Sequence, residues 1–205
     1  MQLHKPDVVE AATAILDNYG IADLTMRRLG RELNVSPGAL YWHFANKQEL
    51  LGAVADRILQ AVPAESTAMA WPGQIHRICA ALRDALLSHT DGAELVSSSF
   101  AAGQSKIATE IVAQLAGAAQ RAGVSSPDDE LAARTVLYYV LGFTADEQSR
   151  LQWDAAGALT DEQSVLNRDT SRQFAFGLQL LVDGLAVRGA STLSAGRDLP
   201  QQGQG

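Results

Sequence analysis

The chain has 205 residues, 47% of them apolar and 19% charged, a globular rather than a disordered composition. That length suffices for a small head and one larger domain with its own core. A formal net charge of −7 argues against binding nucleic acid by bulk charge, and with no secretory signal and no apolar run of about 18 residues a soluble cytoplasmic protein is expected.

Residues 5–19 read as a first amphipathic helix with Val8, Ala12, Ile15 and Leu16 as its inner face. Thr25 can cap a second, on which Met26, Leu29 and Leu33 follow the i, i+3, i+7 spacing of one buried stripe. Asn34 suits the left-handed conformation that ends a helix, and Val35 is an apolar plug for the turn. Ser36 is a natural N-cap and Pro37 fits the first helical position, so a third helix starts there. It spans two turns, too short to form alone. Leu40 and Phe44 share its buried face, Tyr41, Trp42 and His43 fall elsewhere, and Gly38 and Ala39 leave room at its start. Helix, short turn, short helix is the helix-turn-helix arrangement, and such a helix suits a DNA major groove. Asn46, with Glu49 at capping-box spacing, opens a linker helix to about Val62 that carries Leu51, Val54, Ile58 and Val62 on one stripe.

The remainder is helical too. A loop at 63–70 precedes helices near 72–89, 92–101 and 105–122, with a break at Gly123–Pro127. Asp128, Asp129 and Glu130 fall in the first turn of a helix to about Leu151, where negative charge suits the dipole. Residues 154–170 are polar and irregular; a last helix over 171–187 has Phe174, Leu178, Leu181 and Leu185 on one face, and Gly177 and Gly184 permit close approach of another backbone. No run of alternating β-branched residues marks a strand. An all-α fold follows, with a head at 1–46, the linker helix at 47–62, a body at 63–188 and a disordered tail at 189–205. Val136, Tyr138, Tyr139, Leu141 and Phe143 cover more than one face of their helix, so the helices near 129–151 and 171–187 are the expected interface of a homodimer. Cys79, the single cysteine, shares an apolar face with Ile75, Ile78 and Leu82 and reads as a buried reduced thiol.

The first 50 residues hold Lys5, Arg27, Arg28, Arg31 and Lys47 against six carboxylates, so the basic groups matter by position and not by sum. The candidate DNA contacts are Thr25, Arg27, Arg28, Ser36, Pro37, Gly38, Ala39, Tyr41, Trp42, His43 and Lys47. Arg27 would reach a base edge or phosphate, Gly38 and Ala39 would allow close approach to thymine methyls, and Tyr41, Trp42, His43 and Lys47 would meet the backbone and flanking bases. One two-turn helix reads too few bases, so two copies on a palindromic operator are expected.

Gly20-Ile21, Leu24-Thr25, Arg27, Leu29, Val35, Gly38-Ala39-Leu40-Tyr41-Trp42-His43-Phe44 and Lys47 make the head similar to the TetR (tetracycline repressor) family of transcriptional regulators. The similarity continues into the body at Ala85-Leu86-Leu87-Ser88-His89, Asp91-Gly92-Ala93, Leu141-Gly142-Phe143 with Asp146-Glu147, and Phe176-Gly177-Leu178, which resembles the branch with a tetracycline-repressor-like C-terminal domain. The resemblance implies a three-helix DNA-binding head, a larger helical ligand-binding and dimerisation domain, and a four-helix-bundle dimer interface. It also implies a repressor released from its operator by a small molecule. The tetracycline-binding positions of that branch are matched here by Pro63, Ile78, Leu82 and Val96, aliphatic where the branch has polar ligands, and Asp146 alone does not make a metal site. A small, largely apolar effector is therefore expected, with no cofactor and no metal. The expected pocket is Ile78, Leu82, Leu86, Val96, Ser99, Phe100, Gln104, Ile111, Leu115, Tyr139 and Phe143. The chain holds no glycine-rich phosphate loop and no nucleophile constellation, so an enzyme is not expected. The alternatives are a helical small-molecule-binding module and a regulator acting as an activator.

Overall fold

The computed structural model describes residues 3–64, 69–160, 164 and 169–195, the last four by backbone only. These residues hold nine α-helices and one short 3-10 turn and no strand. The helices are α1 (Lys5–Tyr19), α2 (Met26–Glu32), α3 (Pro37–Tyr41), α4 (Lys47–Leu59), α5 (Trp71–Leu87), α6 (Gly92–Ala101), α7 (Lys106–Arg121), α8 (Asp128–Ala155) and α9 (Thr170–Ala195). No helix among the described residues is long and apolar enough to cross a membrane.

The head is built by its caps. Thr25 Oγ1 accepts from the Arg28 amide at 3.1 Å, Ser36 Oγ from Ala39 at 3.3 Å and Asn46 Oδ1 from Glu49 at 2.8 Å, so each short helix starts where a side chain satisfies an orphan amide. Asn34 takes φ 52° and turns the chain between α2 and α3. Gly30 permits that turn: a Cβ there would lie 3.0 Å from the Val35 carbonyl oxygen. Val8, Ala12, Ile15, Leu16, Leu24, Leu29, Leu40 and Phe44 are the buried core of the three helices. The capping box at Asn46 differs from expectation. Glu49 reaches back to the Ala45 amide at 2.7 Å, one residue before the cap, and Lys5 lies 3.2 Å from the same carboxylate.

Two joints fix head to body. On α4, Val54 and Ile58 are buried as expected and Leu50, Ala55 and Leu59 join them, whereas Leu51 is half-buried and Val62 lies beyond the helix, which ends at Leu59. Gly52 lets α4 touch the α6–α7 loop, where a Cβ would fall 2.3 Å from the Gln104 carbonyl oxygen. Asp56 receives Ser105 Oγ at 2.7 Å and the Ile107 amide at 3.0 Å at the start of α7. The second joint runs from α1 to the α5–α6 corner, where His89 Nδ1 lies 2.9 Å from Asp17 Oδ1 and the Ile21 amide donates to Asp91 Oδ2 at 2.9 Å.

In the body α5 is central, touching α4, α6, α7, α8 and α9. α8 runs to Ala155, a turn beyond the expected end, and α9 continues to Ala195. Residues 189–195, expected as tail, are therefore helical. The reason is visible at Gly189, where a Cβ would overlap the Ala122 carbonyl oxygen: the backbone of α9 lies directly on the end of α7. Residues 196–205 of that expected tail, and residues 161–163 and 165–168 of the expected irregular connection, lie outside the described residues. Gly177 makes room for a side chain and not for another backbone, since the Tyr139 hydroxyl would collide with a Cβ there. That hydroxyl donates to the Phe174 carbonyl at 2.8 Å, and the Tyr139, Phe143 and Phe174 rings stack within 5.9 Å of one another. Beside them Arg83 and Glu147 form a buried bidentate pair, Nε–Oε2 2.9 Å and Nη2–Oε1 2.6 Å.

Candidate functional site

α3 and its approaches present a set of uncommitted groups. Trp42 is 90% exposed and Tyr41 is exposed beside it, while Leu40 and Phe44 are buried and hold the short helix to the head. The side chains of Arg27, Arg31, Tyr41, Trp42, His43 and Lys47 make no hydrogen bond or ion pair among the described residues. No other large apolar side chain among the described residues is as exposed as Trp42, and such an aromatic beside Tyr41 and next to free cations marks a contact surface. Gly38 is open on its outer side, the nearest atom to an added Cβ being Ser36 Oγ at 3.7 Å. Ser36 and Pro37 build the start of α3, and Thr25 the start of α2, so these expected contacts have a structural task in the free protein.

The charge pattern resolves locally. Lys5 is tied to Glu49, and the Ala45 amide and Lys5 hold the Glu49 carboxyl below the usual carboxylate range. Arg28 pairs with Asp23 at 2.5 Å, and its guanidinium lies 3.6 Å from the centre of the Tyr19 ring. Of the cations expected to meet DNA, Arg28 is thus committed to the head, while Arg27 and Lys47 are free. An acidic chain therefore still presents a small positive footprint around α3.

The structure places the expected pocket residues in several different surroundings. Ile78, Leu82, Leu86, Val96, Ile111 and Leu115 are closed core with at most 1% exposure. Gln104 lines a cleft of about 440 Å³ with Lys5, Phe44, Asp56 and Arg57, Phe100 one of about 450 Å³ with Val112, Ala116 and Arg134, and Phe143 a small one with Glu147. Tyr139 belongs to the aromatic stack. Aliphatic side chains that replace polar ligands pack against each other, and that closes the space. Ser99 Oγ and Thr144 Oγ1 remain buried there without hydrogen-bond partners. No group of three or more His, Cys, Asp or Glu among the described residues could hold a metal, and Asp146 instead pairs with Arg150 at 2.8 Å. Burial pushes the Cys79 thiol up to about 12.

Along α8 and α9 a groove of about 410 Å³ is lined by Leu131, Thr135, Leu180, Gly184 and Arg188, and Tyr138, Leu180 and Phe176 are 56%, 57% and 67% exposed on these helices. Gly184 has nothing within 4 Å of an added Cβ. Sequence reasoning missed the polar fasteners Gln148 and Arg83, and it singled out Asp91 and Glu147 only as carriers of the resemblance, without their partners. One signal for Arg83 was available: it sits four residues from Cys79, inside an otherwise apolar stripe of α5.

The family model of bacterial regulatory proteins of the tetR family matches residues 8–54, and that of the tetracyclin repressor-like C-terminal domain matches residues 63–165. The chain belongs to the TetR family. It is a DNA-binding transcriptional regulator of that family. It is 31% identical over 202 residues to the class A tetracycline repressor of transposon 1721 and 30% identical over 199 residues to the class E repressor, both from Escherichia coli, each alignment covering 91% of this chain and 92% of the relative. Its fold superposes on the crystal structure of Mycobacterium smegmatis BioQ with TM-score 0.86 and 71% identity, over 92% of this chain and all of that one. It also superposes on the structure of BioQ with its natural double-stranded DNA operator, with TM-score 0.80 and 68% identity, over 90% of this chain and 99% of that one.

Proposed function

We propose that this TetR-family protein is a homodimeric repressor that inserts α3 into successive major grooves of a palindromic operator and is released by a small, uncharged, largely apolar effector. The observation that carries the reading is the uncommitted surface at α3, where the side chains of Arg27, Tyr41, Trp42, His43 and Lys47 have no hydrogen-bond or ion-pair partner among the described residues. In the proposed complex Arg27 meets a base edge or phosphate. Gly38 and Ala39 approach thymine methyls, and Tyr41, Trp42, His43 and Lys47 hold the phosphate backbone and flanking bases. Thr25, Ser36 and Pro37 act by fixing helix starts whose amides face phosphates. Arg28 supports the head through Asp23 and Tyr19.

The apolar groove of α8 and α9, open at Gly184, supports pairing with a second copy. For the effector, the buried and unpartnered Ser99 and Thr144 hydroxyls support entry of a molecule with one or two hydrogen-bonding groups among the body helices, and Arg83, already saturated by Glu147, offers no anchor for a charged one. The ligand must favour one head spacing over another, since equal affinity for both states shifts nothing.

A gel shift tests the reading, with the BioQ operator duplex and the DNA upstream of this chain's own gene as probes and an unrelated duplex of equal length as competitor. Retarded species resistant to about a hundredfold excess of unrelated duplex are expected, since specific sites bind roughly 10³-fold or more tighter. Equal competition by the unrelated duplex contradicts sequence-specific binding.

A further inference from the structure

The corner between α5 and α6, residues 88–92, is gripped from two sides. From the head, Thr90 Oγ1 donates to the Asp17 carbonyl at 2.9 Å, and His89 and Asp17 pair beside it. From α8, Gln148 Nε2 donates to the Leu86 and His89 carbonyls at 2.9 and 2.7 Å, while its Oε1 accepts from the Ala93 amide at 3.0 Å. Asp91 joins the two grips in one carboxylate: Oδ2 accepts from the Ile21 amide of the head at 2.9 Å, and Oδ1 from Gln152 Nε2 of α8 at 2.6 Å. The corner has little room to yield. A Cβ on Gly92 would lie 2.4 Å from the Leu86 carbonyl oxygen, and one on Gly20 would lie 2.6 Å from Asp91 Oδ2.

We infer that this corner is a coupling element separate from the linker helix, through which α8 sets the pose of the DNA-binding head, with Asp91 and Gln152 as its positioning residues. The inference rests on the proposed function, in which head pose governs operator binding. α8 also forms one wall of the groove assigned above to the second copy, so an adjustment in how two copies pack passes along a rigid helix to Gln148 and Gln152. These hydrogen bonds of 2.6–3.0 Å are lost once donor and acceptor part beyond about 3.5 Å, so under a larger shift of α8 the corner either follows or lets go of the head. α4 carries the other link, through Gly52 against the Gln104 backbone and Asp56 on Ser105.

The test reads the head from α8. Gln152 is exposed and remote in sequence from the Ile21 amide, and Gln152→Ala leaves every residue proposed to touch DNA intact. In the full chain without DNA, amide exchange over residues 20–24 should quicken about fivefold in Gln152→Ala, the factor for one ordinary hydrogen bond. Asp91→Gly, which keeps the left-handed backbone at φ 53° without strain, should quicken it further. The double variant should match Asp91→Gly alone, because Gln152 acts only through Asp91. Affinity for the BioQ operator duplex should fall in the same order. Wild-type exchange at 20–24 in Gln152→Ala, or multiplicative effects in the double variant, would overturn the inference. Exchange is read without DNA, so a wild-type protein that ignored the duplex would sink the proposed function and leave this measurement decisive for the corner.

Discussion

Replacing Glu147 by Leu should be among the most damaging single changes in the body, and the structure gives the magnitude. The Arg83 and Glu147 side chains are 10% and 6% exposed and share two charge-assisted hydrogen bonds. Without the carboxylate, Arg83 keeps, among the described residues, only the Thr170 and Ser171 hydroxyls, at 3.4 and 3.5 Å, and the Phe174 ring 5.1 Å away. None of these compensates a buried charge. Removing one partner of such a pair costs about 3–5 kcal/mol, whereas replacing both by apolar residues of similar volume is often neutral. At roughly 2–4 °C per kcal/mol for a chain of this size, Glu147→Leu should melt about 6–20 °C below wild type. Arg83→Met with Glu147→Leu should recover most of the loss. Urea unfolding and calorimetry at one fixed protein concentration provide the cycle, since association would shift both readings. A loss below about 1 kcal/mol for Glu147→Leu, or a double variant as unstable as the two singles together, would refute the assignment of this pair as the fastener of α5, α8 and α9.

Gly52→Ala places a methyl 2.3 Å from the Gln104 carbonyl oxygen; overpacking of about 1–3 kcal/mol outweighs a helix-propensity gain of about 1, so melting should fall and operator affinity change with it. Cys79, its thiol raised to about 12 by burial, should resist alkylation at pH 8 in the folded protein and react on unfolding. The unfolded thiol titrates near 9, so its contribution to stability is whole below pH 9 and declines between about 9 and 12, where the unfolded chain binds fewer protons; a Cys79→Ala control lacks that component. Leu180→Lys sets a charge in the α8–α9 groove and should shift sedimentation from dimer to monomer with helical content unchanged; a dimer that persists removes this groove from the interface.

The head was legible because its information is local. A cap lies within three residues of the amide it serves, as Ser36 does for Ala39, and Asn34 turns within its own residue. α6 likewise begins and ends where Gly92 and Ala101 suggested. Positions set by distant partners were not legible. Leu50 replaced Leu51 in the α4 core because the α6–α7 loop at Gly52 sets the rotation of that helix. The 189–195 segment reads as polar tail until Gly189 is seen against α7. Nothing local to Asp91, Gln148 and Glu147 announces their hydrogen bonds, whose partners lie 55 to 70 residues away. The pocket residues were recognised as facing inward, but inward-facing aliphatics pack together unless something holds them apart.

Footprinting of the operator with wild-type protein, Arg27→Ala and Trp42→Ala tests the central claim most directly. The account predicts two protected half-sites about one helical turn apart for wild type. For Arg27→Ala it predicts protection only at about 5- to 150-fold higher protein, corresponding to roughly 1–3 kcal/mol for a bidentate base contact. Trp42→Ala should show weakened protection at the flanks. Identical protection by all three proteins at equal concentration would contradict the assignment of α3 and its neighbouring cations as the surface that reads DNA.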